Sequence, residues 1–297
     1  MTVFSGLMAA ALLLAQDPQT PPPPAADPTV TDLGEVIVNS RPAEEVASSF
    51  VDTIGAPATS RRLARWHGAV CVSVANLSTD PAQYLIDRVS TVAEDIGLEV
   101  GEPGCTANIV IVAAGDAAGV ANAMVEEYSR AFRPGGSGMT QPLSALRDFR
   151  TSDRPVRWWQ VSVPVDSENG ERAVRLPGED APKIMVSRAS RLRTDIRDDL
   201  AKVFIVIDVN RLQGTTLVQL ADYVAMIALA QVDAGASTTG LPTILNLFEE
   251  PARTPGLTDW DMAYLQALYG SETTRSTTGG QASDIAGLML RERARED

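Results

Sequence analysis

The stretch Ala69-Val-Cys-Val-Ser-Val74 is the first of two apolar runs that decide the fold. Its short, β-branched pattern predicts a strand. Asp80-Pro81-Ala82-Gln83 then predicts the start of a helix, because Asp suits the N-cap, Pro the first helical position and Gln the third. A second run, Ala107-Asn-Ile-Val-Ile-Val-Ala113, predicts another strand. Strands joined through a helix are usually parallel neighbours, so these segments predict a β-α-β unit.

The two cysteines of the chain lie at this unit, Cys71 in the first predicted strand and Cys105 just before the second. In an oxidising compartment an even cysteine count predicts a disulfide, and two cysteines allow only one pairing. In a reducing compartment the same residues would be two buried thiols. We expect the disulfide, because the N-terminus predicts export.

Residues 1–16 predict a signal peptide of a bacterial exported protein, since an apolar stretch to Ala15 is followed directly by polar sequence. Two features are atypical: no Lys or Arg precedes the apolar core, and Leu13 stands where a small residue is preferred. The stretch is shorter than the roughly 20 apolar residues that cross a bilayer. No later segment is long and apolar enough, so we expect no membrane span after signal removal and a periplasmic or secreted location.

Residues 17–43 predict a Pro-rich tether that contains a β-prone segment, Asp32-Leu-Gly-Glu-Val-Ile-Val-Asn39. This segment resembles one near the mature N-terminus of TonB-dependent outer-membrane receptors, where an extended peptide pairs with a partner's sheet edge. The resemblance implies an envelope partner that binds residues 32–39 by strand addition. The alternative is that the segment is an edge strand of the chain's own domain.

Charge and histidine content exclude several classes of function. The chain has 297 residues, a formal net charge of −13 and one histidine. The negative balance repels phosphate backbones, so we expect no nucleic-acid partner. Most zinc and iron sites, and most Ser-His or Cys-His pairs, need histidines that are missing here. His67 with Cys71 and Cys105 would make a Cys2His metal set. We expect the disulfide to form first, which would leave His67 as a surface histidine. We therefore expect neither a metal nor a cofactor.

The rest of the chain predicts an α/β (α+β) fold with a mixed, twisted sheet. Apolar patterning predicts further helices at residues 117–132 and 217–232 and strands at residues 156–165, 183–187 and 202–208. We expect a single domain over residues 44–270. Residues 271–297 predict a polar linker and a charged, peripheral helical tail.

The most specific motif is Leu257-Thr-Asp-Trp-Asp-Met-Ala-Tyr-Leu-Gln-Ala-Leu-Tyr-Gly270. It resembles the C-terminal helix of matrixins, in the metzincin family of zinc metalloproteases, where a Leu-Ser/Thr opening, an Asp and a closing Gln-Ala-Leu-Tyr-Gly recur. Leu257, Thr258, Asp261 and residues 266–270 match that pattern. The alternative is an ordinary amphipathic helix, capped by Thr258, that converged on the same ending. The resemblance implies metzincin-like C-terminal helices.

The same resemblance places the family's zinc-binding motif, His-Glu-x-x-His-x-x-Gly-x-x-His/Asp, on residues 221–231. Ligands spaced four residues apart share one face of a helix and can hold one metal ion. Here Ala221 and Ala225 stand at the first two ligand positions, Gln231 at the third and Asp222 at the general-base position. Alanine has no lone pair, so the resemblance implies a degenerate motif without catalytic or metal-binding residues.

Other residues that suggest chemistry have ordinary interpretations. Residues 237–248 stand where metzincins form a methionine-containing turn, and they contain no methionine. Asp222 has no acid-base partner on its own helix, so we expect a surface or helix-start carboxylate. We expect Asp198-Asp199 and Glu249-Glu250 to be solvated pairs, and Trp158-Trp159 to direct one ring to each face of the sheet.

These observations predict an exported, non-catalytic metzincin-like protein with a binding or structural role in the cell envelope and an unknown protein or peptide ligand. The alternative is a hydrolase that uses carboxylates and hydroxyls, without zinc, in the same cleft. The surroundings of the four motif positions bear on this choice. Side chains that line an open cleft would support a degenerate protease, whereas burial of Ala221 and Ala225 would favour convergence.

Overall fold

The computed structural model describes residues 41–58, 60–135, 141–174, 183–184 and 193–296. The predicted signal peptide, most of the tether and the segment 32–39 lie outside the described residues. The same is true of residues 185–187, the greater part of one expected strand.

Four strands form one mixed sheet, in the order β1-β2-β4-β3. The strands are β1 (Val72–Ala75), β2 (Ile109–Ala114), β3 (Val156–Asp166) and β4 (Ile196–Asp208). β1, β2 and β4 are parallel, and β3 runs antiparallel to β4 at the edge. The α/β fold with a mixed sheet is therefore confirmed.

Helices cover both faces of this sheet. The α-helices of the described residues are α1 (Ala43–Ile54), α2 (Thr79–Asp95), α3 (Ala117–Glu127), α4 (Ser129–Phe132), α5 (Leu143–Thr151), α6 (Leu217–Leu229), α7 (Asp259–Gly270) and α8 (Thr278–Glu296). One core contains side chains of α1, α2, α6, α7 and α8 with Ile109, Ile205 and Trp158 of the sheet. The second core lies on the opposite face, where α3, α4 and α5 pack against Trp159 and Phe204. The adjacent tryptophans therefore point to opposite faces, as predicted.

The β-α-β unit is present as β1-α2-β2, and Cys71 and Cys105 form the predicted disulfide. Its helix begins two residues earlier than expected: Ser78 is the N-cap, so Asp80 lies in the first turn. The N-cap of α6 is more elaborate, because the Thr216 side chain accepts from the backbone N–H of Gln219 and the Gln219 side chain accepts from that of Thr216.

The C-terminal tail is an integral part of the fold, and its expected peripheral position is wrong. Helix α8 packs against α1 and α7. Ile285 and Met289, one helical turn apart, have no exposed surface, and the Gln281 side chain accepts from the backbone N–H of Leu63 at 2.8 Å. The many charged residues of this segment favoured the prediction of a peripheral tail. The segment also has apolar residues at helical spacing, and these form the face of α8 that packs against the core.

Candidate functional site

Helix α6 carries three of the four positions of the degenerate motif and is buried from Gln219 to Leu229. Ala221 and Ala225 have no exposed surface, and Asp222 is 4% exposed. Helix α2 packs beside α6, and side chains of β2 and β4 share the same core. No cleft therefore opens at these positions in the described part of the chain. This burial favours the alternative that the matrixin-like sequence pattern arose by convergence. A relationship to metzincins stays a prediction.

Asp222 is a buried structural carboxylate, so the expectation of a surface or helix-start residue is wrong. Its Oδ1 pairs with Nε of Arg88 on α2, and its Oδ2 accepts the backbone N–H of Leu257 at 2.9 Å. A Cβ on Gly256 would lie 2.4 Å from the same Oδ2. The partners lie far away along the chain, which explains why the neighbours of Asp222 on its own helix gave no sign of them.

Gln231, at the third ligand position, is committed to the interior of the protein. It has no exposed surface; its Oε1 accepts the backbone N–H of Ala64 at 2.9 Å and its Nε2 donates to Oγ of Ser162 at 3.4 Å. The turn that follows α6 is fixed by Asp261, which accepts from Oγ1 of Thr243 at 2.6 Å and from the N–H of Ile244 at 2.8 Å. Residues 221–231 and this turn therefore form packed structure.

The pair Asp198-Asp199 is not solvated as expected. Asp198 is 2% exposed and forms an ion pair with Arg61. Oδ1 of Asp199 lies 2.9 Å from Nδ1 of His67 and 2.9 Å from Nε of Arg197. Burial opposes ionisation of Asp199, but the hydrogen bonds from His67 and Arg197 outweigh it and hold its pKa below the usual value.

The disulfide removes both sulfur atoms from the Cys2His set that His67 would complete. Among the described residues, no group of three or more His, Cys, Asp or Glu side chains is placed to hold a metal ion. His67 instead serves as one of two hydrogen-bond partners that position the Asp199 carboxylate.

A groove beside the edge strand β3, which we call the edge groove, is lined by aromatic, cationic and acidic side chains. It consists of two adjoining cavities, of about 270 and 250 Å³, that share Arg154, Trp158 and residues 232–235. Gln160 lines the first cavity. Tyr223 and Glu249 line the second.

The floor of the edge groove is held to the end of α6 by side chains of β3. Nε1 of Trp158 donates to the carbonyl of Val232 at 3.0 Å. Nε2 of Gln160 donates to the carbonyls of Ile227 and Ala230, and its Oε1 accepts the N–H of Val232 at 3.0 Å. The two bonds that Gln160 donates satisfy carbonyls that the end of α6 leaves unpaired, so the side chain of Gln160 ties β3 to this helix end.

The pairing of β3 with β4 leaves part of the β3 backbone without a partner on β4. The N–H of Asp208 donates to the carbonyl of Pro155 at 2.8 Å, so these two residues form a hydrogen-bonded pair of the antiparallel ladder. Along such a ladder, hydrogen-bonded pairs alternate with pairs whose N–H and C=O groups point away from the partner strand. In that alternation the N–H and C=O groups of Trp158 and Gln160 point away from β4. Both residues line the groove. Further along β3, the carbonyl of Pro164 accepts a hydrogen bond from the N–H of Ala173 at 2.9 Å. The backbone groups of Trp158 and Gln160 are nevertheless covered within the fold, since the two residues are only 7% and 1% exposed.

The charges around the edge groove are unbalanced. Arg154 is its cationic lining residue, and its Nη1 lies 2.6 Å from Oδ2 of Asp148. Asp233 and Glu249 are exposed, and neither forms an ion pair with a described residue. Oδ1 of Asp233 accepts only the N–H of Gly235, at 2.8 Å. The second cavity therefore carries two carboxylates that no described cation neutralises.

A second depression lies at the carboxyl ends of the parallel strands, where α/β proteins often bind ligands. It has a volume of about 560 Å³ and is lined by Asn76, Gly115, Asp116 and Val209. The Asp116 side chain caps α3 by accepting the N–H of Gly119, at 2.8 Å. Asn210 donates to the carbonyl of Gly115. The carboxylate of this depression is thus engaged in capping α3, and the edge groove, which combines aromatic rings with unpaired carboxylates, is the better candidate.

No family model matches the chain, and no curated protein or solved structure is detectably similar to it. The candidate site therefore depends on geometry alone. Sequence reasoning placed Trp158 correctly but missed Tyr223, which lies within an apolar helix, and Asp233, which lies in a loop rich in small residues. The signal that the sequence offered for this site was the polar pair Asp222-Tyr223 within an apolar helix that is followed by a turn.

Proposed function

We propose that this chain is an exported binding protein without catalytic activity, and that the edge groove receives an extended segment of a protein or peptide partner. The observation that carries this proposal is the edge groove itself, whose two adjoining cavities share Arg154, Trp158 and residues 232–235 and carry two carboxylates that no described cation neutralises. An extended peptide can place alternate side chains in neighbouring cavities of this kind, which then select them.

The absence of catalysis is supported by the pairing of two carboxylates, Asp222 and Asp148, and by the burial of the motif positions. Asp222 is neutralised by Arg88, and Asp148 by Arg154. Ala221 and Ala225 offer no ligand atoms and have no exposed surface. General acid-base catalysis needs a positioned group with reach to a substrate, and neither paired carboxylate meets that description.

An exported location is supported by the disulfide, because such bonds persist mainly in oxidising compartments. Among the described residues, no helix combines the length and apolarity needed to cross a bilayer. Periplasmic rather than secreted location, and an envelope partner for residues 32–39, remain separate parts of the proposal. Each can be tested by fractionating cells that express the full chain and a variant without residues 32–39.

The binding proposal is tested by selecting peptides from a phage-displayed library of random dodecapeptides on the full chain. Ala234 lines both cavities, so Ala234→Trp would fill the groove. Ala294→Trp, on the exposed side of α8, is the matched control. We expect the enriched peptides to bind the wild type and the control, and not to bind the Ala234→Trp variant. Selection that yields no peptide, or peptides that bind Ala234→Trp equally well, would contradict the proposal.

The hydrolase alternative is tested in parallel. The selected peptides and a mixture of casein peptides are incubated with the full chain, with and without a chelator, and the products are analysed by mass spectrometry. We expect no cleavage. Cleavage that depends on the groove, and so is lost in Ala234→Trp but kept in Ala294→Trp, would replace the binding proposal with an enzymatic one.

A further inference from the structure

The second cavity of the edge groove is lined by a buried tyrosine whose hydroxyl has no hydrogen-bond partner among the described residues. Tyr223 is 5% exposed, and its hydroxyl forms no hydrogen bond with any described residue. By contrast, the hydroxyl of Tyr269 donates to the carbonyl of Leu229 at 2.7 Å. Tyr264 also lacks a partner, but its oxygen is sealed from solvent, whereas Tyr223 lines a cavity. An unpaired polar group at the wall of a cavity is the kind of group that a ligand satisfies.

The ring of Tyr223 is held in place, so its hydroxyl is a fixed feature of the cavity. It packs edge-on against Trp158, with 6.1 Å between ring centroids, and against Phe248, with 5.0 Å. Burial, and then the negative charge of Glu249, raise the pKa of Tyr223. The hydroxyl therefore stays neutral at physiological pH and can both donate and accept a hydrogen bond.

The chemistry of the cavity favours a cation. Glu249 and Asp233 line it without a described cationic partner, and Arg154 is already paired with Asp148. The aromatic rings of Trp158 and Tyr223 add an electron-rich wall, which also attracts cations. The formal net charge of −13 steers positively charged partners towards the whole protein.

We propose that this cavity is a subsite for one basic side chain, lysine or arginine, of the segment that occupies the edge groove. The inference rests on the proposed binding function. A volume of about 250 Å³ is smaller than the roughly 300–1,000 Å³ of drug-sized ligand sites, so it suits one side chain better than a whole cofactor. The carboxylates would accept its N–H donors, and the Tyr223 hydroxyl would accept one more.

The chain's own β-prone segment does not match this subsite. Residues 32–39 contain Asp32 and Glu35 and no Lys or Arg. The next basic residue, Arg41, is already engaged, since its Nη2 donates to the carbonyl of Gly240 at 2.8 Å. The expected occupant is therefore a separate polypeptide with a basic residue.

The test uses two probes, acetyl-Gly-Gly-Arg-Gly-Gly-amide and the same peptide with citrulline, which keeps the shape of arginine but has no charge. Each is titrated into the ¹⁵N-labelled full chain, and the indole N–H signal of Trp158 is followed. We expect the arginine peptide to shift that signal, and citrulline to weaken binding at least about fivefold, because charge-assisted hydrogen bonds are lost.

Variants locate the effect within the cavity. Glu249→Gln and Asp233→Asn should each weaken binding of the arginine peptide about two- to fivefold, as expected of partly exposed charge pairs. Tyr223→Phe keeps the ring and should weaken binding as well. Glu94→Gln, an exposed carboxylate on α2, is the matched control and should leave binding unchanged.

The outcomes separate the two proposals. Equal binding of both probes, or no binding of either, overturns the basic subsite. Dodecapeptides that depend on the groove but lack a basic residue overturn the subsite while the binding function stands. If the library yields no peptide that depends on the groove, both proposals fail. Preference for arginine that disappears in Glu249→Gln and persists in Glu94→Gln supports the subsite.

Discussion

Arg88 of α2 and Asp222 of α6 form an ion pair that joins the two helices, and the Asp222 side chain is only 6% exposed within it. The same carboxylate accepts the N–H of Leu257, just before α7. One side chain thus connects three parts of the fold. A carboxylate with such partners stabilises tertiary structure, and its removal leaves a buried N–H without an acceptor.

Asp222→Asn should therefore lower the free energy of unfolding by about 1.5–3 kcal/mol, because it removes hydrogen bonds to a charged group. The measurement is urea-induced unfolding followed by far-ultraviolet circular dichroism. Asp87→Asn, on the exposed side of α2, is the control and should change stability by less than about 0.5 kcal/mol. Equal midpoints for Asp222→Asn and the wild type would show that this ion pair contributes nothing.

Gly256→Ala should be destabilising by about 1–3 kcal/mol, because its new methyl group would overlap the Asp222 carboxylate and displace it. Gly287→Ala on α8 gives the opposite expectation. Its Cβ would meet no atom within 4 Å, and alanine should stabilise that helix by roughly 0.5–1 kcal/mol. Thermal unfolding of both variants checks the contrast, and a stabilised Gly256→Ala would be inconsistent with the contact described.

Replacing both Cys71 and Cys105 by serine should lower the free energy of unfolding by about 3–4 kcal/mol, since the disulfide closes a loop with a sequence separation of 34 residues. Unfolding of the wild type with and without a reductant should show a shift of similar size. The double serine variant should be insensitive to the reductant. A wild-type midpoint that the reductant leaves unchanged, with reduction verified by thiol titration, would contradict the expectation.

Asp261 should make stability depend on pH. Burial raises its pKa to about 6, although hydrogen bonds from Thr243, Thr258 and Ile244 oppose the shift. Between the unfolded value of 3.8 and about 6, the folded state binds more protons than the unfolded state. The contribution of Asp261 to stability is therefore full below pH 4 and is lost as the pH rises through 6.

The pH effect is measured as the difference in unfolding free energy between the wild type and Asp261→Asn at pH 4, 5, 6 and 7. We expect this difference to decrease as the pH rises and to level off above 6, since the asparagine does not titrate. All other carboxylates contribute equally to both proteins and cancel. A difference that increases with pH would mean that the hydrogen bonds outweigh burial.

Local signals in the sequence were sufficient for the β-α-β unit and for the mixed α/β class of the fold. The β-branched runs that contain Cys71 and Ile109 identified two parallel strands. The presence of two cysteines in a chain expected to be exported identified the disulfide. Thr258 was recognised as an N-cap because a cap depends on residues within one helical turn. Such features need no knowledge of the remainder of the chain.

Features that depend on distant residues were not predictable in this way. Arg88 and Asp222 are 134 positions apart, and Leu63 and Gln281 are 218 apart. The edge groove likewise combines Trp158 of a strand, Tyr223 of a helix and Glu249 of a turn. One sequence gives no means of pairing such positions, so the burial of the motif positions and the role of α8 appeared only in the structure.

The two indoles of β3 have a consequence for strand alignment during folding. An edge strand has one neighbouring strand, so its register depends on fewer backbone bonds than that of a central strand. Trp158 donates to the carbonyl of Val232 on one side of the sheet, and Trp159 donates to that of Phe132 on the other. A slip of one residue would exchange the two sides and break both bonds. A shifted register of β3 would therefore lose hydrogen bonds on both faces of the sheet and be less stable than the native one. The edge groove would then form in a single register of β3.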